Sequence, residues 1–154
     1  MSAPDFYFAI NAIFRHIHDT HGRKALIHYW QHLGSEYYAS RWQRWRDGGL
    51  PAIAADWKNY FEHEPGSEVD VTLEPHRVVL DIRTCPAIGH LRQHHKDIPD
   101  YFCEHCDYIT TSMGQQSGHA FERTGGMGSC RQVFTPLTTS AGSITSPSSS
   151  PVES

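Results

Sequence analysis

The chain has 154 residues, 38% hydrophobic and 19% charged, with a formal net charge of −4 when histidine is neutral. That length suits one domain around one core, and no apolar run approaches the about 20 residues that a membrane span requires. The basic residues form no concentrated block, so nucleic acid is not an expected partner.

Met1-Ser2-Ala3-Pro4-Asp5 carries no basic region ahead of an apolar segment. A secretory leader is therefore not expected, and the cytoplasm is the expected location. There the four cysteines would stay reduced, as ligands or reagents rather than as a disulfide framework. The expected partner is a small-molecule substrate, with no membrane contact, and assembly into oligomers stays open.

The spacing of Phe6, Ile10, Ile13, Phe14 and Ile17 predicts a first helix over 5–21, ended by Gly22. A second runs over 23–46 through Leu26, Trp30, Leu33, Tyr37, Trp42 and Trp45, with Gly34 as a place to bend and Asp47-Gly48-Gly49 as its stop. A third follows Pro51 and ends before Pro65-Gly66. The period then changes to two: Val69, Val71 and Leu73 alternate with acidic and hydroxyl residues, and Val78, Leu80 and Ile82 repeat the pattern after Pro75-His76. This is a β-hairpin. Pro86 opens a helix reaching about Lys96, and 99–112 reads as another short helix. Residues 114–118 read as loop, and 119–124 and 129–135 as two strands joined by Gly125-Gly126-Met127-Gly128. From Leu137 onward Ser, Thr, Pro and Gly dominate, and the segment reads as a disordered tail. The expected fold is α+β: one domain over 1–136, with N-terminal helices packed on a small antiparallel sheet built from two hairpins and further helices between them.

All four cysteines and five of the twelve histidines fall between Cys85 and Phe134. These side chains serve as nucleophile, proton carrier or soft metal ligand near neutral pH. Four residues apart on a helix, Cys103 and Asp107 share a face. Cys103-Glu104-His105-Cys106 has CxxC spacing, but a single pair is weak evidence for zinc. It also does not follow the strand that leads into a thioredoxin-like site. Cys130 follows a glycine-rich turn whose backbone can approach a ligand closely, which brings Gly126 and Gly128 into the candidate site. Arg123 could offer a two-pronged guanidinium to a substrate carboxylate. His90 and His94 have chelating spacing, though a polar helix end explains them as well.

Cys85-Pro86, Phe102-Cys103 with Asp107, Phe121-Glu122-Arg123-Thr124, then Gly128 and Cys130 before Phe134 together resemble the L-2-amino-thiazoline-4-carboxylic acid hydrolase family. A Cys-Pro helix start with a terminal glycine-turn-cysteine is more distantly similar to the vinyl-reductase-like ligand-binding domain, where cysteines hold zinc. The first resemblance implies hydrolysis of a carbon–nitrogen bond in a cyclic amidine-like ring. Its family-like positions are Cys85, Cys103, Asp107, Arg123, Thr124 and Cys130. Cys106, the 90–95 histidines and the glycine-rich turn look particular to this chain.

Two mechanisms follow. In one, a thiolate attacks the ring carbon, Cys130 leading and Cys103 its rival. Asp107 or His95 would then move protons, and Arg123 and Thr124 would hold the substrate. In the other, cysteines among Cys85, Cys103 and Cys130 bind zinc together with a histidine, and the metal-bound water attacks. The same zinc set would serve a non-catalytic sensor of the vinyl-reductase-like kind.

Overall fold

A computed structural model describes residues 3–138. A short 3₁₀ turn, Ala3–Asp5, leads into α1 (Phe6–His21), which buries Tyr7, Asn11 and Phe14. Gly22 closes α1 by donating its amide to the His18 carbonyl, and α2 (Arg23–His32) begins at once. The predicted bend at Gly34 is a π-helical turn over Leu33–Tyr37. Its cause is proximity: a Cβ on Gly34 would lie 2.4 Å from the Ile109 carbonyl oxygen and 2.7 Å from the Ser112 Cβ. Only a residue without a side chain lets the two backbones meet there.

The end of the second expected helix and the whole of the third fall in α3 (Ala39–Glu62), two helical stretches that meet at a kink. The glycine stop is present as a kink, with Gly49 at φ 64° and ψ −153°. Asp56 ties the halves together across it. Its carboxylate accepts from the guanidinium of Arg41, from Arg44 and from the Trp45 indole at 2.8 Å. Arg41 also lies over the Trp57 ring at 4.1 Å, a cation–π contact.

The sheet has four antiparallel strands in the order β1-β2-β4-β3. The first hairpin is β1 (Glu68–Glu74) with β2 (Arg77–Thr84), in which Val71 faces Leu80. The second is β3 (His119–Gly126) with β4 (Ser129–Pro136). They join through β2 and β4, where Val78 is opposite Phe134 and Ile82 opposite Cys130. The α+β architecture expected from the sequence is therefore the observed one. Val78, Leu80, Ile82 and Phe134 share one face of the sheet, as period-two alternation requires. They pack on Trp45, Leu50, Ile53 and Met113. A second cluster joins Phe14, Leu26 and Trp30 to Ala87, Ile88, Leu91 and Phe102. Cys85 and Ile109 pack against both clusters.

Two helices between the hairpins differ from expectation. α4 (Pro86–Gln93) ends short of Lys96, because His94 leaves helical geometry and His95 turns left-handed at φ 52°. α5 (Glu104–Ser117) starts later than predicted and continues through the segment expected as loop. Gly114 is buried there as a spacer: a Cβ would lie 2.6 Å from the His119 carbonyl oxygen. Gly118, in αL geometry, is the true C-cap. The tail reading lies outside the described residues beyond Thr138. Just before that limit, the Leu137 amide donates to the Gly118 carbonyl.

Candidate functional site

The two helix starts between the hairpins face the same turn. Cys85, delivered by β2, is the N-cap of α4, and its amide donates to the Gly128 carbonyl at 2.8 Å. Cys103 is the N-cap of α5, and its sulfur accepts the Met127 amide at 3.2 Å. The Gly125–Gly128 turn is thus held from both sides by cysteine residues. Cys130 leaves this turn on β4, and Cys106 lies one helical turn into α5. The four thiols are close enough to act on one another: Cys106 disfavours the thiolate at each of Cys85, Cys103 and Cys130.

Burial dominates their acidity. It pushes Cys85, Cys106 and Cys130 up to about 11 and raises Cys103 as well. Opposing donors differ from thiol to thiol. The Ile88 and Ala87 amides pull Cys85 down, the Gln132 side-chain amide does so for Cys130 and the Met127 amide for Cys103, while the Arg123 guanidinium acts on Cys103, Cys106 and Cys130 alike. Cys103 therefore combines a backbone amide aimed at its sulfur, a nearby cation and a helix start, the three influences that favour a thiolate.

Arg123 is present at the site with a different partner from the one expected. Its Nε and Nη2 donate to the two oxygens of Asp107 at 2.8 and 2.6 Å, and Nη1 donates to the Gly125 carbonyl. The side chain is only 12% exposed. A guanidinium engaged this way shapes the turn over Cys103; it does not present a free fork to a substrate. Asp107, with both oxygens engaged, is likewise a positioning group. Gly126 is required by this packing. Its φ is 156°, and a Cβ would lie 2.9 Å from Arg123 Nη1 and 3.8 Å from Cys103 Sγ. Thr124 is exposed on β3.

His95 is not brought to the site. It is exposed past the C-terminal end of α4, while Cys85 occupies the other end of that eight-residue helix, about 12 Å away along the axis. The imidazole that does belong here is His105. Its Nδ1 is bonded to the Phe102 carbonyl, so Nδ1 carries the proton and Nε2 offers a lone pair. Cys106 Sγ lies 3.5 Å from that Nε2 and donates to it. Burial holds the His105 pKa below the usual imidazole value, which keeps the ring neutral. The sequence signal was the Cys-Glu-His-Cys run itself, where His105 adjoins one of the two thiols.

Among the described residues, no three His, Cys, Asp or Glu side chains are arranged as a metal site. The expected set of Cys85, Cys103 and Cys130 is divided among three elements, and each sulfur faces a different nitrogen donor.

An open groove of about 320 Å³ runs beside the turn, lined by Arg83, Thr84, Cys85, Arg92, Gly128 and Ser129 among others. Its lining holds two arginines and no carboxylate. Arg83 pairs with Asp70. The Arg92 side chain makes no hydrogen bond or ion pair among the described residues and rests over Gly128, with Nη1 2.9 Å from where a Cβ would be. A larger groove of about 470 Å³, between α3 and β1, contains no cysteine or histidine. No helix among the described residues is long and apolar enough to cross a membrane. Comparison of the chain with family models, curated proteins and solved structures gives no match.

Proposed function

We propose that this chain is a small-molecule hydrolase with a cysteine-centred site, acting on a carbon–nitrogen bond of a cyclic amidine-like compound. The observation that carries the reading is the Met127 amide directed at Cys103 Sγ at 3.2 Å, at the start of α5 and beside the Arg123 guanidinium. A backbone N–H in that position stabilises a thiolate and needs no reorganisation when charge develops. Cys103 replaces Cys130 as the leading nucleophile. Cys130, opposite Ile82 near the start of β4, also feels Arg123, but its sulfur accepts from the Gln132 side-chain amide rather than from a backbone N–H at a helix start.

In this reaction Cys103 sulfur bonds to the amidine carbon, and the ring bond to that carbon breaks as the departing nitrogen takes a proton. Water then adds to the same carbon, the carbon–sulfur bond breaks, and the thiol regains its proton. Arg123 and Asp107 hold the turn that delivers the Met127 amide. The cationic groove supplies the remaining recognition, with Arg92 as the guanidinium available to a substrate carboxylate.

The test is turnover of 2-aminothiazoline-4-carboxylate and related cyclic amidines by the reduced protein and by Cys103→Ser. The variant should keep its circular dichroism spectrum and lose activity by about 10⁴-fold. Full activity in the variant removes Cys103 from the mechanism. No turnover of any cyclic amidine by the wild-type protein removes the reaction class.

A further inference from the structure

Hydrolysis through Cys103 leaves Cys106 and its imidazole without a role. We infer that Cys103 and Cys106 form a redox-active dithiol that reduces small-molecule disulfides, Cys103 attacking and Cys106 resolving. This activity does not depend on the hydrolytic reading.

The two thiols occupy the first turn of α5, Cys103 at the N-cap and Cys106 three residues on. The Cys106 amide donates to the Cys103 carbonyl at 3.2 Å, which closes that turn. Residues so spaced have Cβ atoms about 5–6 Å apart, and a disulfide needs about 3.5–4.5 Å. The difference is within reach of an N-cap residue, which lies half outside the helical hydrogen-bond ladder. Cys85 and Cys130 are near neighbours on other elements, and only Cys103 and Cys106 share one helical turn.

The chemistry divides as the surroundings do. Cys103, with the Met127 amide on its sulfur, attacks one sulfur of a disulfide R–S–S–R. The sulfur–sulfur bond breaks, the first thiol leaves with the proton that Cys103 gave up, and R–S remains on Cys103. Cys106 passes its proton to His105 Nε2, the acceptor it already faces at 3.5 Å. Its sulfur attacks Cys103 Sγ, and the second thiol leaves with that proton. Two electrons and two protons move from the dithiol to the substrate, giving two R–SH and a Cys103–Cys106 disulfide, which a thiol reductant returns to its starting state. The Phe102 carbonyl holds His105 in the tautomer this needs.

Trypsin separates the outcomes. Its sites at Arg83, Arg92, Lys96, Arg123 and Arg131 place Cys85, the Cys103–Cys106 pair and Cys130 in three different peptides. The reduced full-length protein is treated with oxidised glutathione, alkylated and mapped by mass spectrometry. The expected result is a disulfide within the 97–123 peptide and two glutathiones released per protein. Cys106→Ser should retain glutathione on Cys103, and His105→Phe should slow release of the second glutathione by about tenfold or more. A link from the 97–123 peptide to that of Cys85 or Cys130, a stable glutathione on wild-type Cys103, or no oxidation of the pair would each overturn the proposal. The wild-type map decides even if a variant fails to fold.

Discussion

Three nitrogens of the Arg123 guanidinium are committed to Asp107 and Gly125, while Arg92 lies in the neighbouring groove with no such commitment. The two arginines should therefore respond differently to removal. Arg123→Met leaves the partly buried Asp107 carboxylate, 37% exposed, without its donors. It should lower stability by about 2 kcal/mol in urea unfolding. Arg92→Ala should change stability by less than about 0.5 kcal/mol. It should raise KM for a carboxylate-bearing substrate about tenfold with kcat nearly unchanged, as expected when uniform binding is lost. An unchanged KM would take Arg92 out of recognition. The residue chemistry was readable in part. A guanidinium at 123 does meet a carboxylate, but that carboxylate is Asp107, sixteen positions away on a helix whose docking against β3 no local pattern encodes. His95 failed for the same reason, since adjacency to other histidines says nothing about which end of α4 faces the cysteines.

Helix boundaries turned on what each glycine does. At 49 the chain requires a left-handed residue, and the predicted break is visible as a kink. At 114 the glycine admits a neighbouring backbone and the helix passes through it. The amino-acid letter is the same, and only the contact with His119 distinguishes the two. Strands were easier to read, because alternating Val, Leu and Ile report burial on one face without any knowledge of the partner. Gly34 behaves like Gly114, admitting the α5 backbone within a π-helical turn. Gly34→Ala should push α2 and α3 away from α5 and lower stability by about 1–3 kcal/mol, measured by urea unfolding. A stability equal to wild type would show that the contact relaxes freely.

Over the whole molecule, stability should form a plateau in pH with two different edges. His105 and His119 have pKa values lowered by burial. Below about pH 6.5 the unfolded chain binds protons at these rings that the folded chain refuses, so stability falls as pH drops through that window. The thiols act with the opposite sign. Cys85, Cys106 and Cys130 titrate near 11 when folded, against the ordinary 9. Their contribution is complete below pH 9 and is lost as pH rises toward 11. Thermal melts in reductant should thus be flat between about pH 7 and 8.5 and fall on both sides. Cys106→Ser should soften the alkaline edge, and an unchanged edge would mean that the buried thiol does not titrate there.

The strand order has a kinetic consequence. Each hairpin closes over a short turn and can form early, on a microsecond scale. The β2–β4 ladder joins residues about fifty positions apart, and such non-local pairings are the slow part of folding because their loop must close first. Cys85 directly follows β2 and Cys130 is the second residue of β4, so the cysteine constellation is assembled by that late step. A chain trapped before it would carry most of its hairpin hydrogen bonds and no site. Its thiols, released from burial, would react with maleimide after circular dichroism had recovered most of its native value.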